Sequence, residues 1–241
     1  MPITTPHGSW TSPVTTDLIT SDAVGLVGGC IDGVDVYWVE SRASQKGRAS
    51  IWRLRDGERT ELTPEANVRS SVHEYGGGAW SVADGVVTFV AFPSNVVHVI
   101  ENDAPARPIT PEGPLRYGGL VVVPGSRVVY AVREDHTSSD IDCVNTLVRL
   151  ELDGDNAEGG TVVASGADFY SQPAVSDDDR LAWYEWDHPD MPWDATRLVV
   201  AEADGSDFHA ESARYRRVAV AVLIPVEAAH RNEMMSPGIT R

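Results

Sequence analysis

Short β-type runs that recur at intervals of about 40 to 50 residues constrain this chain more than any other feature of it. Val36 to Glu40, Val87 to Ala91, Val129 to Arg133 and Leu181 to Glu185 each follow a Gly- or Asp-containing turn, and they begin 51, 42 and 52 residues apart. A second series, Ser50 to Arg55, Val96 to Glu101, Thr146 to Leu152 and Arg197 to Glu202, is spaced by 46, 50 and 51 residues. A shorter third series closes each unit at Leu62-Thr63-Pro64, Ile109-Thr110-Pro111, Val162 to Ala164 and Arg217 to Val220, the two Thr-Pro pairs lying 47 residues apart. Inner strands fit ahead of the first series at Gly78 to Val82, Leu120 to Val123 and Pro173 to Val175. Four strands in such a period is the size of a propeller blade, whereas a sandwich repeats its turns every 8 to 12 residues or so without the longer period.

The expected fold is therefore all-β, a partial β-propeller of about four four-stranded blades, with boundaries near 24–66, 73–114, 117–166 and 169–220. Four blades are near the lower limit for a closed ring, so the ring is expected to be incomplete. Beyond about Val220 the blade turns stop, and residues 221–241 read as a short irregular or helical tail foreign to the blades. Charge changes at nearly the same place: residues 1–207 carry 33 acidic and 14 basic side chains, residues 208–241 only 3 and 5.

The formal net charge of −17 disfavours nucleic acid and anionic membrane as partners, because both are bound by Lys and Arg neutralising phosphates. Apolar runs such as Val218 to Val226 are too short to span a bilayer, and Met1 to Trp10 has no signal-peptide pattern, so the expected compartment is the cytoplasm. In that compartment Cys30 and Cys143, the only cysteines, read as buried free thiols rather than a disulfide.

Three stretches carry a family resemblance: Pro6-His7-Gly8-Ser9-Trp10-Thr11-Ser12-Pro13, Val72-His73-Glu74-Tyr75-Gly76-Gly77-Gly78-Ala79, and Trp186-Asp187-His188-Pro189-Asp190-Met191-Pro192-Trp193-Asp194. Leu115-Arg116-Tyr117, Val132 to His136 and Gly166 to Tyr170 support them. From about Pro6 to about Ala219 the chain resembles the N-terminal β-propeller of the bacterial acylaminoacyl-peptidase and dipeptidyl-aminopeptidase-like members of the prolyl oligopeptidase (S9) family of serine peptidases. The resemblance implies a propeller that covers a C-terminal α/β-hydrolase domain, restricts access to its active site, and so serves cleavage of short peptides. Catalysis in that family needs a serine on a Gly-x-Ser-x-Gly elbow, followed by an aspartate and a histidine. No such elbow occurs in the chain, so no catalytic residue carries over and the hydrolase domain is expected to be missing.

Candidate substrate-contacting residues are His73, Glu74, Arg133, Glu134, Asp187 and His188. His73 and Glu74 precede three glycines that allow close backbone approach, which suits either an inner-rim contact or a blade-to-blade turn whose side chains satisfy local backbone groups. Arg133 and Glu134 end a strand, where guanidinium and carboxylate would pair with a peptide's carboxylate and ammonium ends, or simply be solvated. Asp187 and His188 lie in a long Trp- and Pro-stiffened insertion, which reads as an ordered packing loop as readily as a ligand contact. None of these spacings matches a zinc or calcium pattern, and no metal or other cofactor is expected.

The expected function is the substrate-gating propeller portion of an S9-type serine peptidase acting on short peptides, inactive alone as a truncated or frame-shifted product. Its expected partners are short peptides, a hydrolase domain, or a second copy through the open blade edge. Two other readings stay open: a stand-alone propeller binding module, and a metal-dependent propeller hydrolase of the lactonase kind.

Overall fold

The computed structural model describes residue 4 and residues 6–9, 11–21, 23–139, 142–176, 178–203 and 209–211. One helical turn, α1 (Thr16–Thr20), opens the chain, with the Thr15 hydroxyl accepting from Leu18 N–H at 3.1 Å. Among the described residues, seventeen strands follow in four antiparallel sheets. The first blade is β1 (Val24–Asp32), β2 (Asp35–Arg42), β3 (Arg48–Arg55) and β4 (Glu58–Glu61). The second is β5 (Asn67–Val68), β6 (Trp80–Ala83), β7 (Val86–Phe92), β8 (Val96–Ile100) and β9 (Arg107–Pro108). The third is β10 (Leu115–Val122), β11 (Val128–Asp135), β12 (Val144–Glu151) and β13 (Thr161–Ser165). The fourth is β14 (Phe169–Val175), β15 (Arg180–Trp186), β16 (Arg197–Glu202) and β17 (His209–Glu211). This is the partial all-β propeller expected from the repeat.

The core lies between blades rather than inside one sheet. Tyr37, Val39 and Ile51 of blade 1 meet Val87, Phe89 and Ile100 of blade 2. Val90, Val97 and Val99 on the other side of blade 2 meet Val129, Ala131 and Val148 of blade 3. Val132 and Leu147 meet Leu181, Trp183 and Val199 of blade 4. A blade covered on both faces needs unbroken apolar runs, and β11 is buried from Val128 through Glu134. The outward face of β1 has no such cover, and Leu26 and Ile31 are exposed, Leu26 by 72%.

The Thr-Pro repeat has a structural cause. Thr63 Oγ1 accepts from Ile51 N–H at 2.8 Å and Thr110 Oγ1 from Val97 N–H at 2.9 Å, so each threonine prolongs the pairing of its blade's third strand past the end of the fourth. The turns are linked as well. Asp32 accepts from the N–H groups of Asp84 and Gly85 (3.1 and 2.6 Å), and Asp84 accepts from Gly125 N–H at 2.6 Å, which ties the hairpin turns of blades 1, 2 and 3 in sequence.

In blade 4 the strand described beside β16 is β17, and the expected strand Arg217 to Val220, the 221–241 tail and Trp10 lie outside the described residues. Two expectations need correction. The inner strand of blade 2 is split into β5 and β6, both paired to β7. The two thiols are free, but both are only partly buried.

Candidate functional site at the inner rim

All four inner strands turn out of regular pairing near the same level. Register shifts occur in β1 between Val27 and Gly29, in β10 between Gly118 and Val121, and in β14 between Ser171 and Ala174. Each shift holds a residue in the left-handed region, Gly28 at φ 62°, Gly119 at 57° and Gln172 at 49°, and in blade 2 Gly78 at 55° begins the return into β6. Bulges of this kind bend a strand and re-aim its side chains. The turns of blades 2, 3 and 4 stack on one another. A Cβ on Gly78 would lie 2.5 Å from Gly119 Cα, and one on Gly119 would lie 3.1 Å from Pro173 Cδ, so the blade-to-blade approach requires glycine at both positions.

Residues 70–78, between β5 and β6, leave the sheet and cross to blade 3. His73 and Glu74 adopt φ of 57° and 65°, which non-glycine residues rarely do unless held there. The holding bonds come from blade 3. His73 N–H donates to Glu134 Oε1 at 2.6 Å, Gly119 N–H donates to Gly77 O at 3.2 Å, Leu120 N–H to Gly78 O at 2.9 Å, and the Ser70 hydroxyl to Tyr117 O at 2.7 Å.

The loop thereby carries His73 into an aromatic cluster of blade 4. Its ring meets Trp186 and Phe169 edge-on, with centroids 5.4 and 5.5 Å away, and Phe169 stacks on Trp186 at 5.2 Å. The wall is completed by a cavity of about 370 Å³ lined by His73, Tyr75, Gln172, Tyr184, Trp186 and Trp193 among others. Burial pushes the His73 pKa below the ordinary imidazole value, while the nearby Glu134 carboxylate acts in the opposite direction. The ring thus enters the cavity wall uncharged at neutral pH, with Nε2 buried and unpartnered. Such a cavity takes an apolar or aromatic group, with Gln172 and His73 supplying polar atoms.

Of the six residues singled out from sequence, His73 alone lines this cavity. Glu74 sits exposed and pairs with Arg116 at 2.6 Å, which holds its carboxyl below the usual range. Glu134 is buried behind the loop it anchors. Arg133, its neighbour in β11, points to the opposite face and donates to the carbonyls of Glu158 and Gly159 at 3.2 and 3.4 Å. Asp187 accepts from Asp168 N–H at 3.0 Å and pairs with Arg197 at 2.8 Å, while Asp168 accepts from His188 N–H at 2.9 Å and the His188 ring lies edge-on to Phe169. Sequence reasoning named Tyr170 only within the Gly166 to Tyr170 match and did not single out Gln172 or Tyr184, whose only signal was the Gln-Pro step inside an otherwise apolar strand.

Comparison with solved structures decides what the fold is similar to. A puromycin-hydrolysing peptidase from Mycobacterium tuberculosis is 32% identical with a TM-score of 0.73, and the match covers 83% of this chain and 34% of that one. A puromycin hydrolase mutant complexed with PGG is 30% identical with a TM-score of 0.77, covering 86% of this chain and 35% of that one. The chain is similar to the N-terminal propeller of S9 serine peptidases. The chain spans about a third of the length of the solved peptidases it matches. Pyrococcus horikoshii acylaminoacyl peptidase, 14% identical with a TM-score of 0.56 over 82% of this chain and 33% of that one, shares the fold. No family model and no curated protein matches the sequence. Among the described residues no helix is long and apolar enough to cross a membrane.

Proposed function

We propose that this chain is the substrate-gating propeller portion of an S9-type serine peptidase acting on short peptides, and that it hydrolyses no peptide by itself. The observation that carries this reading is the His73 loop. In a stretch 30–32% identical to puromycin-hydrolysing peptidases, the loop closes the inner rim of blades 2 to 4 and forms one wall of the aromatic cavity. The cavity holds the apolar or aromatic group of the peptide against Trp186 and Trp193. The Glu74–Arg116 pair, Asp187 and His188, which adjoin His73, Trp186 and Phe169, select among charged peptide ends. The sequence contains no Gly-x-Ser-x-Gly elbow, so the nucleophile belongs to a separate hydrolase domain.

The bare apolar face of β1 supports the same reading, because that is where a further blade would pack to extend the ring. A stand-alone module would instead have to cover that face with a second copy. Titration of the purified chain with a short N-acylated peptide bearing an aromatic side chain tests the proposal through tryptophan fluorescence. Saturable quenching that is lost in Trp193→Ala supports it. An unchanged wild-type spectrum at millimolar peptide contradicts it.

A further inference from the structure

The hairpin end of β11 and β12 carries a donor set of which the gating loop uses only Glu134 Oε1, as its anchor. Glu134 and Asn145 are direct cross-strand partners, so their side chains leave the sheet on one face. His136 lies two residues beyond Glu134 and Cys143 two residues before Asn145, and the strand period of two returns both to that face. One ligand atom each from Glu134, His136 and Cys143 falls within 4.8 Å of the others. His136 Nε2 is 3.2 Å from Glu134 Oε2, and Asn145 Nδ2 is 3.6 Å from Cys143 Sγ.

The cluster is also short of partners. His136 and Asn145 are only 9% and 5% exposed, yet His136 Nδ1 and Asn145 Oδ1 make no hydrogen bond. Buried polar atoms are nearly always paired, and orphans of this kind mark places where an ion or a water belongs. Two of them beside a thiol and a carboxylate specify the chemistry further. A sulfur, nitrogen and oxygen donor set suits a soft or borderline divalent cation and not calcium or magnesium.

We propose that Glu134, His136 and the Cys143 thiolate form a structural site for a thiophilic divalent cation of the zinc class, with the Asn145 amide beside the fourth position. Zinc bonds of about 2.0–2.3 Å place tetrahedral ligand atoms roughly 3.5 Å apart, so the cluster contracts by about an ångström on binding. Charge balances without further change. Glu74, Glu134 and the thiolate carry three negative charges against Arg116, which lies 3.9 Å from Glu134 Oε2, and a dication. The thiol proton is released to solvent as the metal binds. Because Glu134 Oε1 already holds His73 N–H, a cation on Oε2 clips the rim loop to the β11–β12 hairpin.

The test is a titration of the metal-free chain with Co²⁺, followed by displacement with Zn²⁺. The expected result is one equivalent bound with a thiolate-to-cobalt charge-transfer band and tetrahedral visible bands. Cys143→Ser should abolish the charge-transfer band and weaken zinc at least about tenfold, while Cys30→Ser keeps both. His136→Gln should weaken zinc by a similar factor with unchanged far-ultraviolet circular dichroism. A wild-type chain with no thiolate band would overturn the proposal whatever the variants do, and so would a band that survives Cys143→Ser and vanishes in Cys30→Ser. Peptide binding is read separately at Trp193, so failure here leaves the gating proposal standing.

Discussion

The backbone N–H of His73 donates to Glu134 Oε1 at 2.6 Å, joining the rim loop of blade 2 to the second strand of blade 3 across 61 residues of chain. Glu134 is 3% exposed, and its removal leaves this half-buried amide without its acceptor. A hydrogen bond to a charged group contributes about 1.5–3 kcal/mol, and Glu134→Ala should lose that much in urea unfolding measured with chelator present. Glu134→Gln keeps an acceptor of the same shape and should recover about half. A loss under about 0.5 kcal/mol for the alanine variant would mean that the loop is held by its other contacts.

The stacked bulges predict a contrast between two glycines. Gly78 (φ 55°) and Gly85 (φ 74°) both sit in the left-handed region, but a Cβ on Gly78 would strike Gly119 at 2.5 Å while one on Gly85 meets open space. Gly85→Ala should cost about 1 kcal/mol from backbone conformation alone. Gly78→Ala adds a clash with main chain that no rotamer relieves, and should cost at least about 2 kcal/mol more in thermal or urea unfolding.

Stability should fall on mild acidification. His73 and His98 are half-buried, and that burial pushes both pKa values below the ordinary imidazole value, opposed by Glu134 in the first case and by the Val96 carbonyl in the second. The unfolded chain therefore takes up protons first. Both states are neutral above the unfolded pKa, so the full stability is present there. It declines as pH drops through the unfolded value of about 6.5, by at most about 1.4 kcal/mol per pH unit for each histidine, and levels off below the folded values. Urea midpoints from about pH 7.5 to about pH 5.5 check this, and His73→Gln/His98→Gln should flatten the profile.

Two tryptophans of the cavity should separate stability from binding. Trp186 is buried against Phe169 and His73, and Trp186→Ala should cost about 3–5 kcal/mol. Trp193 is 63% exposed, and Trp193→Ala should leave the unfolding midpoint within about 0.5 kcal/mol while weakening the N-acylated aromatic peptide several-fold.

The parts of the fold legible in sequence are those set by local patterning. The middle strands β2, β3, β7, β8, β11, β12, β15 and β16 alternate or run apolar because each is covered by a neighbouring blade, and that cover is written in the residues themselves. The inner strands were harder to read because their pairing is long-range. In β1 three of nine residues are glycine, a composition that argues against a strand, and β2 supplies the pairing that overrides it. The two residues of β5 are a strand only because Val68 and Asn67 meet Ala91 and Phe92. At the site, the His73-Glu74 motif and the Trp186–Trp193 insertion stood out by composition. That Gly78 touches Gly119, or that Glu134 and not Arg133 faces the loop, depends on bulges and blade packing that no local pattern encodes.

The most direct measurement is hydrolysis of chromogenic acylamino-acid and dipeptide substrates by the purified chain, with and without a serine-directed covalent inhibitor. A propeller that gates a separate hydrolase domain gives no inhibitor-sensitive turnover, even where the same peptides quench its tryptophans. Turnover that co-purifies with the chain and is abolished by the inhibitor would contradict the account, because it would require a nucleophile within these 241 residues.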